Sequence, residues 1–226
     1  MASAQTATLP RRLSPRRIVG VVALVVLVVA MVLCTKFLTP TELATIAPRP
    51  FDPTAIAQDL FTKAQAEVPG RAADLGKVVP AFQSDPKSAA DTYQAVSPNE
   101  NAYVFAVKAT GTVVEATDAS LRIKVDGVPD QTPVLVPLTT AVNGSVLRDA
   151  MGFKFADAPG QTQYQYVADE LKKLMLADLE SSVADPRSLQ GKQVDVVGVV
   201  SVTTTSGGPV PRAKPVNVQP VSVKAA

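Results

Sequence analysis

An uninterrupted apolar run from Ile18 to Leu33 constrains this chain more than any other feature of its sequence. With the next five residues the segment covers 18–38, and a helix of that length spans the hydrocarbon core of a bilayer, about 30 Å. Four arginines stand within residues 11–17, whereas only Lys36 follows the run closely. Because positive charge stays on the cytoplasmic side, the sequence predicts a single-pass protein of the cell membrane with a cytoplasmic N-terminus and an extracytoplasmic main domain.

Two other interpretations of this segment stay open. A cleaved signal peptide needs a small-x-small site after its apolar stretch. Residues 28–30 offer such a triplet only inside the run, and Pro48 blocks cleavage after residues 45–47. A lipoprotein would carry its lipid on Cys34, but Leu33 occupies a position where a small residue is needed. The sequence therefore favours a retained transmembrane helix, with Cys34 as one of its apolar residues.

Composition argues against several functions. The chain contains no histidine and a single cysteine, so it lacks the commonest general base and can form neither an intramolecular disulfide nor a cysteine-based metal cluster. We expect no enzymatic activity, no catalytic residue, no metal and no cofactor. Residues 1–36 hold five of the 22 basic residues and none of the 20 acidic ones, which leaves a net charge of −3 on the rest. That charge gives no support for nucleic acid as a partner.

The positions of the prolines and the spacing of the apolar residues divide the chain into five segments. The predicted segments are a basic cytoplasmic tail (1–17), a transmembrane helix (18–38), a proline-rich tether (39–53), a helical layer (54–98) and a barrel domain (99–226). Within the helical layer, Asp52-Pro53 and Asp85-Pro86 each combine an N-cap with a proline at the first helical position. Apolar residues at helical spacing predict helices over about 54–68, 72–83 and 86–93.

From Tyr103 onward the apolar residues alternate, which is typical of half-buried strands. Five strands are predicted, over 103–116, 121–126, 134–138, 194–200 and 216–223. A helical insertion over 145–183 separates the third strand from the fourth. This order is that of an OB-fold, and Gly111 and Gly198 fall where barrels bend or bulge.

The predicted fold class is therefore α+β. A single N-terminal transmembrane helix is followed by an OB-like five-stranded β-barrel, with a helical N-terminal layer and a helical insertion between strands three and four. A different small barrel or a sandwich is the alternative, because a count of strands does not determine their pairing.

Residues 143–171 carry a family resemblance. The matching residues are Gly144, Ser145, Leu147, Arg148, Asp149 and Ala150, followed by Phe153 and Phe155, then Gln161 and Tyr164. In these positions the chain resembles a bacterial family of predicted periplasmic lipoproteins, the domain of unknown function twenty-two ninety-one. The genes of that family commonly lie beside those of sugar ABC transporters, so the resemblance implies sugar ABC transporter components as partners, in addition to the membrane that the apolar run predicts. Members typically carry a lipid-attachment signal at the position of Cys34, and Leu33 departs from it.

Five residues of this segment are candidate binding residues: Ser145, Arg148, Asp149, Gln161 and Tyr164. An arginine fork holds paired hydroxyls or a carboxylate, and the amide and phenol groups of 161–166 are typical of sugar sites. The alternative is structural, with Ser145 or Asp149 capping a helix and Arg148 bonding loop carbonyls. Either way, we expect Arg148, Asp149, Gln161 and Tyr164 to form one polar cluster.

The function predicted from these features is that of a membrane-anchored extracytoplasmic accessory or binding protein of unknown activity, associated with a sugar ABC transporter. The alternative is an independent small-ligand or glycan-binding domain. A hydrolase that depends on carboxylates is a third possibility, because paired acidic residues suffice for some reactions. Phe153 and Phe155 are expected in the core rather than on a binding surface.

Overall fold

The computed structural model of the protein describes residues 15–35, 39, 50–204 and 210–226. The chain divides into two compact units, Met1–Pro50 and Phe51–Ala226. Most of the predicted tail (1–17) and of the predicted tether (39–53) lies outside the described residues.

The first unit contains the helix α1 (Pro15–Cys34), which is 20 residues long. Its described valine, leucine and methionine side chains are exposed, and Cys34 is an exposed free cysteine. Taken over the residues that the structure describes, no helix has both the length and the apolarity that crossing a membrane requires.

The second unit contains five further α-helices and seven strands among its described residues. The helices are α2 (Pro53–Arg71), α3 (Leu75–Ser84), α4 (Pro86–Thr92), α5 (Gly144–Ala150) and α6 (Gln161–Ser182). The strands are β1 (Ala73–Asp74), β2 (Val96–Asn99), β3 (Ala102–Ala116), β4 (Ser120–Val125), β5 (Val134–Pro137), β6 (Gln193–Thr203) and β7 (Val216–Ala225). Two 3-10 helices, Phe155–Asp157 and Pro186–Leu189, lie on either side of α6.

Five strands pair in a closed ring. The long strand β3 is antiparallel to β4 along one edge and to β6 along the other. The ring continues from β4 to antiparallel β5, from β5 to parallel β7, and from β7 back to antiparallel β6. These are the five strands that the alternating pattern predicts. The short strands β1 and β2 also pair with β3 and were not predicted.

The ring contains two irregularities near the glycines singled out in the sequence. In the β6–β7 pairing the register shifts at Gly198, as predicted. In β3 the shift falls at Val114 rather than at Gly111. On the opposite edge of β3, where its pairing with β6 has ended, the Gln190 amide donates to the Val114 carbonyl at 2.8 Å and the Gln190 side-chain oxygen accepts the Ala116 N–H at 2.7 Å.

The helix starts agree with the predicted caps. The Asp52 carboxylate accepts the N–H groups of the first turn of α2 at 3.0 and 3.1 Å, and Asp85 does the same for α4 at 3.0 Å. The end of α2 was predicted wrongly, because the helix continues through Pro69 to Arg71. Pro69 costs the helix one N–H donor and crowds the preceding turn, but it lies in the last turn, where the buried neighbour Val68 keeps the chain packed on the core.

The helices bury apolar stripes against the sheet. The helix α2 packs on α6, which also contacts β7. In α3, Phe82 packs on Phe105 of β3 with ring centroids 5.8 Å apart. The predicted helical insertion 145–183 contains two helices, α5 and α6. The residues that join them, 151–160, are called the α5–α6 connection below.

Candidate functional site

The helix α5 begins at a side chain that the sequence analysis missed. Asn143 is the N-cap, and its Oδ1 accepts the N–H of Ser145 at 3.0 Å. The backbone N–H of Asn143 donates to Oε1 of Gln219 at 2.7 Å, and Gln219 is a buried residue of β7. The predicted cap by Ser145 or Asp149 is therefore wrong, and the start of α5 is bonded directly to the sheet.

Gly144 allows α5 to begin against the backbone of α6. A Cβ at this position would overlap the carbonyl oxygen of Ala168 and would lie 2.7 Å from the backbone nitrogen of Lys172. Because both neighbours are backbone atoms of one helix, neither can move aside cheaply. Only glycine permits this approach, which fixes the distance between the two helices.

The Arg148 side chain lies between α5 and α6 and is 6% exposed. Its Nε and Nη2 donate to Oδ1 of Asp149 at 3.0 and 2.9 Å, and its Nη1 donates to the Tyr164 carbonyl at 3.1 Å. The guanidinium carbon lies 3.5 Å from the centre of the Tyr164 ring, which is cation–π distance. A buried guanidinium thus has a counter-ion, a carbonyl and a ring face as partners.

The Tyr164 hydroxyl completes this cluster by donating to the same Asp149 oxygen at 3.2 Å. Burial raises the pKa of Tyr164, the Asp149 charge raises it further, and the Arg148 charge opposes the increase. The phenol therefore stays protonated at neutral pH and acts as a donor. We call Arg148, Asp149 and Tyr164 the Arg–Asp–Tyr cluster.

Two phenylalanines of the α5–α6 connection pack on the Tyr164 ring. Phe153 stacks with its centroid at 6.0 Å, and Phe155 meets the ring edge-on at 5.6 Å. Phe153 is half-buried, but Phe155 is 53% exposed. The prediction that Phe155 belongs to the core is therefore wrong. The ring lies on a short 3-10 turn at the surface, where Asp157 accepts the Lys154 N–H at 2.7 Å.

The structure brings together three of the five predicted site residues, Arg148, Asp149 and Tyr164. Gln161 is exposed in the first turn of α6, and no hydrogen bond among the described residues joins it to the cluster. Ser145 is half-buried one turn before Asp149 and lines a separate cavity. The shared cluster is thus observed for Arg148, Asp149 and Tyr164, while the membership of Gln161 and a binding role for these residues stay predictions.

Chemically, the Arg–Asp–Tyr cluster is a joint between two helices. Each of the three guanidinium nitrogens of Arg148 and the hydroxyl of Tyr164 already donates within it, so no buried polar side-chain atom of the network lacks a partner inside the protein. Within the described residues, no group of three or more acidic, cysteine or histidine side chains is arranged to hold a metal ion.

The fold has a relative among solved structures. The crystal structure of an OB-fold protein from Thermotoga maritima MSB8 matches with a TM-score of 0.64 and 19% sequence identity, over 79% of this chain and 100% of that chain. At this identity the likeness shows the fold alone. The second unit is thus a mixed α+β domain of the OB-fold class, as predicted.

The chain belongs to the predicted periplasmic lipoprotein family DUF2291, whose model matches residues 24–223. The resemblance drawn from residues 143–171 is confirmed, and the family description supports an extracytoplasmic protein of unknown activity. No curated protein sequence matches the chain.

The buried cluster yields a prediction about stability. Arg148→Ala should lower the free energy of unfolding by about 1–3 kcal/mol, because Asp149 and the Tyr164 carbonyl lose their buried partner. Arg148→Lys should recover only part of the loss, since a lysine has no fork and stacks poorly. Chemical unfolding of the purified protein measures both changes.

The chain offers a matched control in Arg187, which forms a similar two-bond pair with Asp118 at 2.9 and 2.8 Å but is 71% exposed. Arg187→Ala should change the unfolding free energy by less than about 0.5 kcal/mol. Equal effects of Arg148→Ala and Arg187→Ala would contradict a structural role for the Arg–Asp–Tyr cluster.

Proposed function

We propose that the protein is a membrane-anchored extracytoplasmic binding protein that acts as an accessory to a sugar ABC transporter and catalyses no reaction itself. The observation that carries this proposal is the exposed ring of Phe155, which packs on the buried Arg–Asp–Tyr cluster. An exposed aromatic ring that its neighbours hold in place is well suited to bind a partner protein.

Two physical arguments support a contact role for Phe155. Aromatic residues are enriched at protein interfaces and often dominate their binding energy. Packing against Tyr164 also restricts the Phe155 ring before binding, which lowers the entropy cost of association. The network beneath it is satisfied internally and needs no ligand, so the surface above it is the better candidate for recognition.

The transporter as partner is supported by the family resemblance, through the gene neighbourhood that the family commonly has. An independent glycan-binding domain is the second candidate, because exposed aromatic rings such as Phe155 and exposed amides such as Gln161 are also typical of sugar sites. A non-catalytic role is supported by the lack of histidine and by the use of Asp149 as acceptor for both Arg148 and Tyr164.

The anchor that we propose is the retained segment 18–38, with the N-terminus in the cytoplasm. Its support is the apolar run in the sequence and the arginines that precede it. Lys36–Leu38 lie outside the described residues. The family description favours a lipid on Cys34 as the other form of anchor, and either form leaves the OB-fold domain outside the cytoplasm.

Mass spectrometry of the mature protein distinguishes the two anchors. The retained helix predicts that the N-terminal arginines are present and that Cys34→Ala leaves the protein in the membrane fraction. An N-terminus at residue 34, or acyl labelling that disappears in Cys34→Ala, would contradict the retained helix. A reporter active only outside the cytoplasm, fused after Ala226, should be active in both cases.

The contact role of Phe155 is tested by co-purification from solubilised membranes, with the partner identified as a transporter permease or solute-binding protein. Phe155→Ala should lose most of this partner while its unfolding free energy stays nearly unchanged, because the ring is half exposed. Tyr166→Ala is the matched control, since Tyr166 is an aromatic of equal exposure, 52%. Equal recovery of the partner with both variants would contradict the proposal.

A further inference from the structure

A groove runs beside α6 on residues that the Arg–Asp–Tyr cluster does not include. Its volume is about 470 Å³, within the range of small-molecule sites. The walls are mainly apolar: Leu176 and Leu179 of α6 and Val183, directly after the helix, form one side, and Leu138, directly after β5, also lines the groove. Leu176 and Leu179 are three positions apart, so one stripe of the last turns of α6 lines the groove.

A second cavity of about 410 Å³ adjoins the first and is polar. Ser145 and Asn143 from the start of α5 and Gln165 and Asp169 from α6 line it. These side chains supply hydroxyl, amide and carboxylate groups, which together donate and accept hydrogen bonds. Ser145 was one of the five candidate binding residues predicted from the sequence, and it is not part of the Arg–Asp–Tyr cluster.

The two cavities share Thr140 and Lys172 as lining residues. The Lys172 ammonium donates to the Thr140 carbonyl at 2.8 Å, and no carboxylate among the described residues lies within 4.0 Å of it. An ammonium has three N–H donors, so two remain for a bound molecule. A charged donor therefore lies where the apolar groove meets the polar cavity.

The charges of the lining select against an ionic ligand. Lys172 is positive, but Asp169 in the polar cavity and Glu180 in the groove are negative, and Asp118 is paired with Arg187. A small anion would be attracted by one group and repelled by the other two, and a cation would meet Lys172 at the junction. A neutral head with several hydroxyl groups satisfies all of these side chains without a net charge.

We infer that the two cavities form one site for a neutral amphiphile, with a hydroxyl-rich head in the polar cavity and an alkyl chain in the apolar groove. Burial of the chain supplies affinity through the hydrophobic effect, and hydrogen bonds to Lys172 and Ser145 orient the head. Phe155 lines neither cavity, so this inference does not depend on the proposed contact with a transporter.

The probe is hexyl β-glucoside, which is soluble enough to be used below its micelle concentration. Two comparison ligands separate its parts: free glucose has the hydroxyl-rich head without the alkyl chain, and hexanol has the alkyl chain without the head. Binding to the full chain in lipid nanodiscs is measured by ligand-observed NMR, with empty nanodiscs as the blank. Hexyl β-glucoside should bind saturably, at least about tenfold more tightly than either part, because it fills both cavities.

Thr139→Trp should abolish this binding, since Thr139 is an exposed residue that lines the groove and a large ring would fill it. Thr162→Trp is the matched control, because Thr162 is exposed on α6 and lines neither cavity. Circular dichroism confirms that both variants are folded. Lack of saturable binding, equal binding of glucose or hexanol, or unchanged binding by Thr139→Trp would each overturn the inference.

Discussion

The arrangement of the helical insertion depends on one buried cation, the Arg148 guanidinium. A charge removed from water costs several kcal/mol unless it is paired and hydrogen-bonded. Asp149 supplies the counter-charge from the same helix, but the remaining partners, a carbonyl and a ring face, both come from Tyr164 of α6. The first turn of α6 must therefore lie against α5, and the α5–α6 connection must return the chain to that position.

Two other contacts hold this joint in place, one between the two helices and one to the closed ring of strands. Gly144 allows the backbones of α5 and α6 to approach closely, and the buried Gln219 bonds the start of α5 to β7. The ring itself is a stable support, because β3 is hydrogen-bonded along both edges, to β4 and to β6. Surface groups on the joint, Phe155 among them, are thus positioned by the sheet as well as by their own helix.

Periodicity and capping chemistry made much of this fold predictable. The alternation of apolar and polar residues predicted the five ring strands, and the aspartate–proline pairs predicted the starts of α2 and α4. Both signals are local in the sequence. The strands β1 and β2 have two and four residues and depend on pairing with β3, which no local pattern reveals. Strict alternation from Val216 would also place Gln219 on the solvent side, so its buried bond to Asn143 left no signal in the sequence.

The central claim is that Arg148 and Tyr164 act as one structural joint, and a double-mutant cycle tests it most directly. Unfolding free energies are measured for the parent protein, Arg148→Ala, Tyr164→Ala and the double variant. The two side chains are in contact and share Asp149, so the account predicts a coupling energy of about 1–2 kcal/mol, with the double variant less destabilised than the sum of the single variants. Single effects that add to within about 0.3 kcal/mol would contradict it.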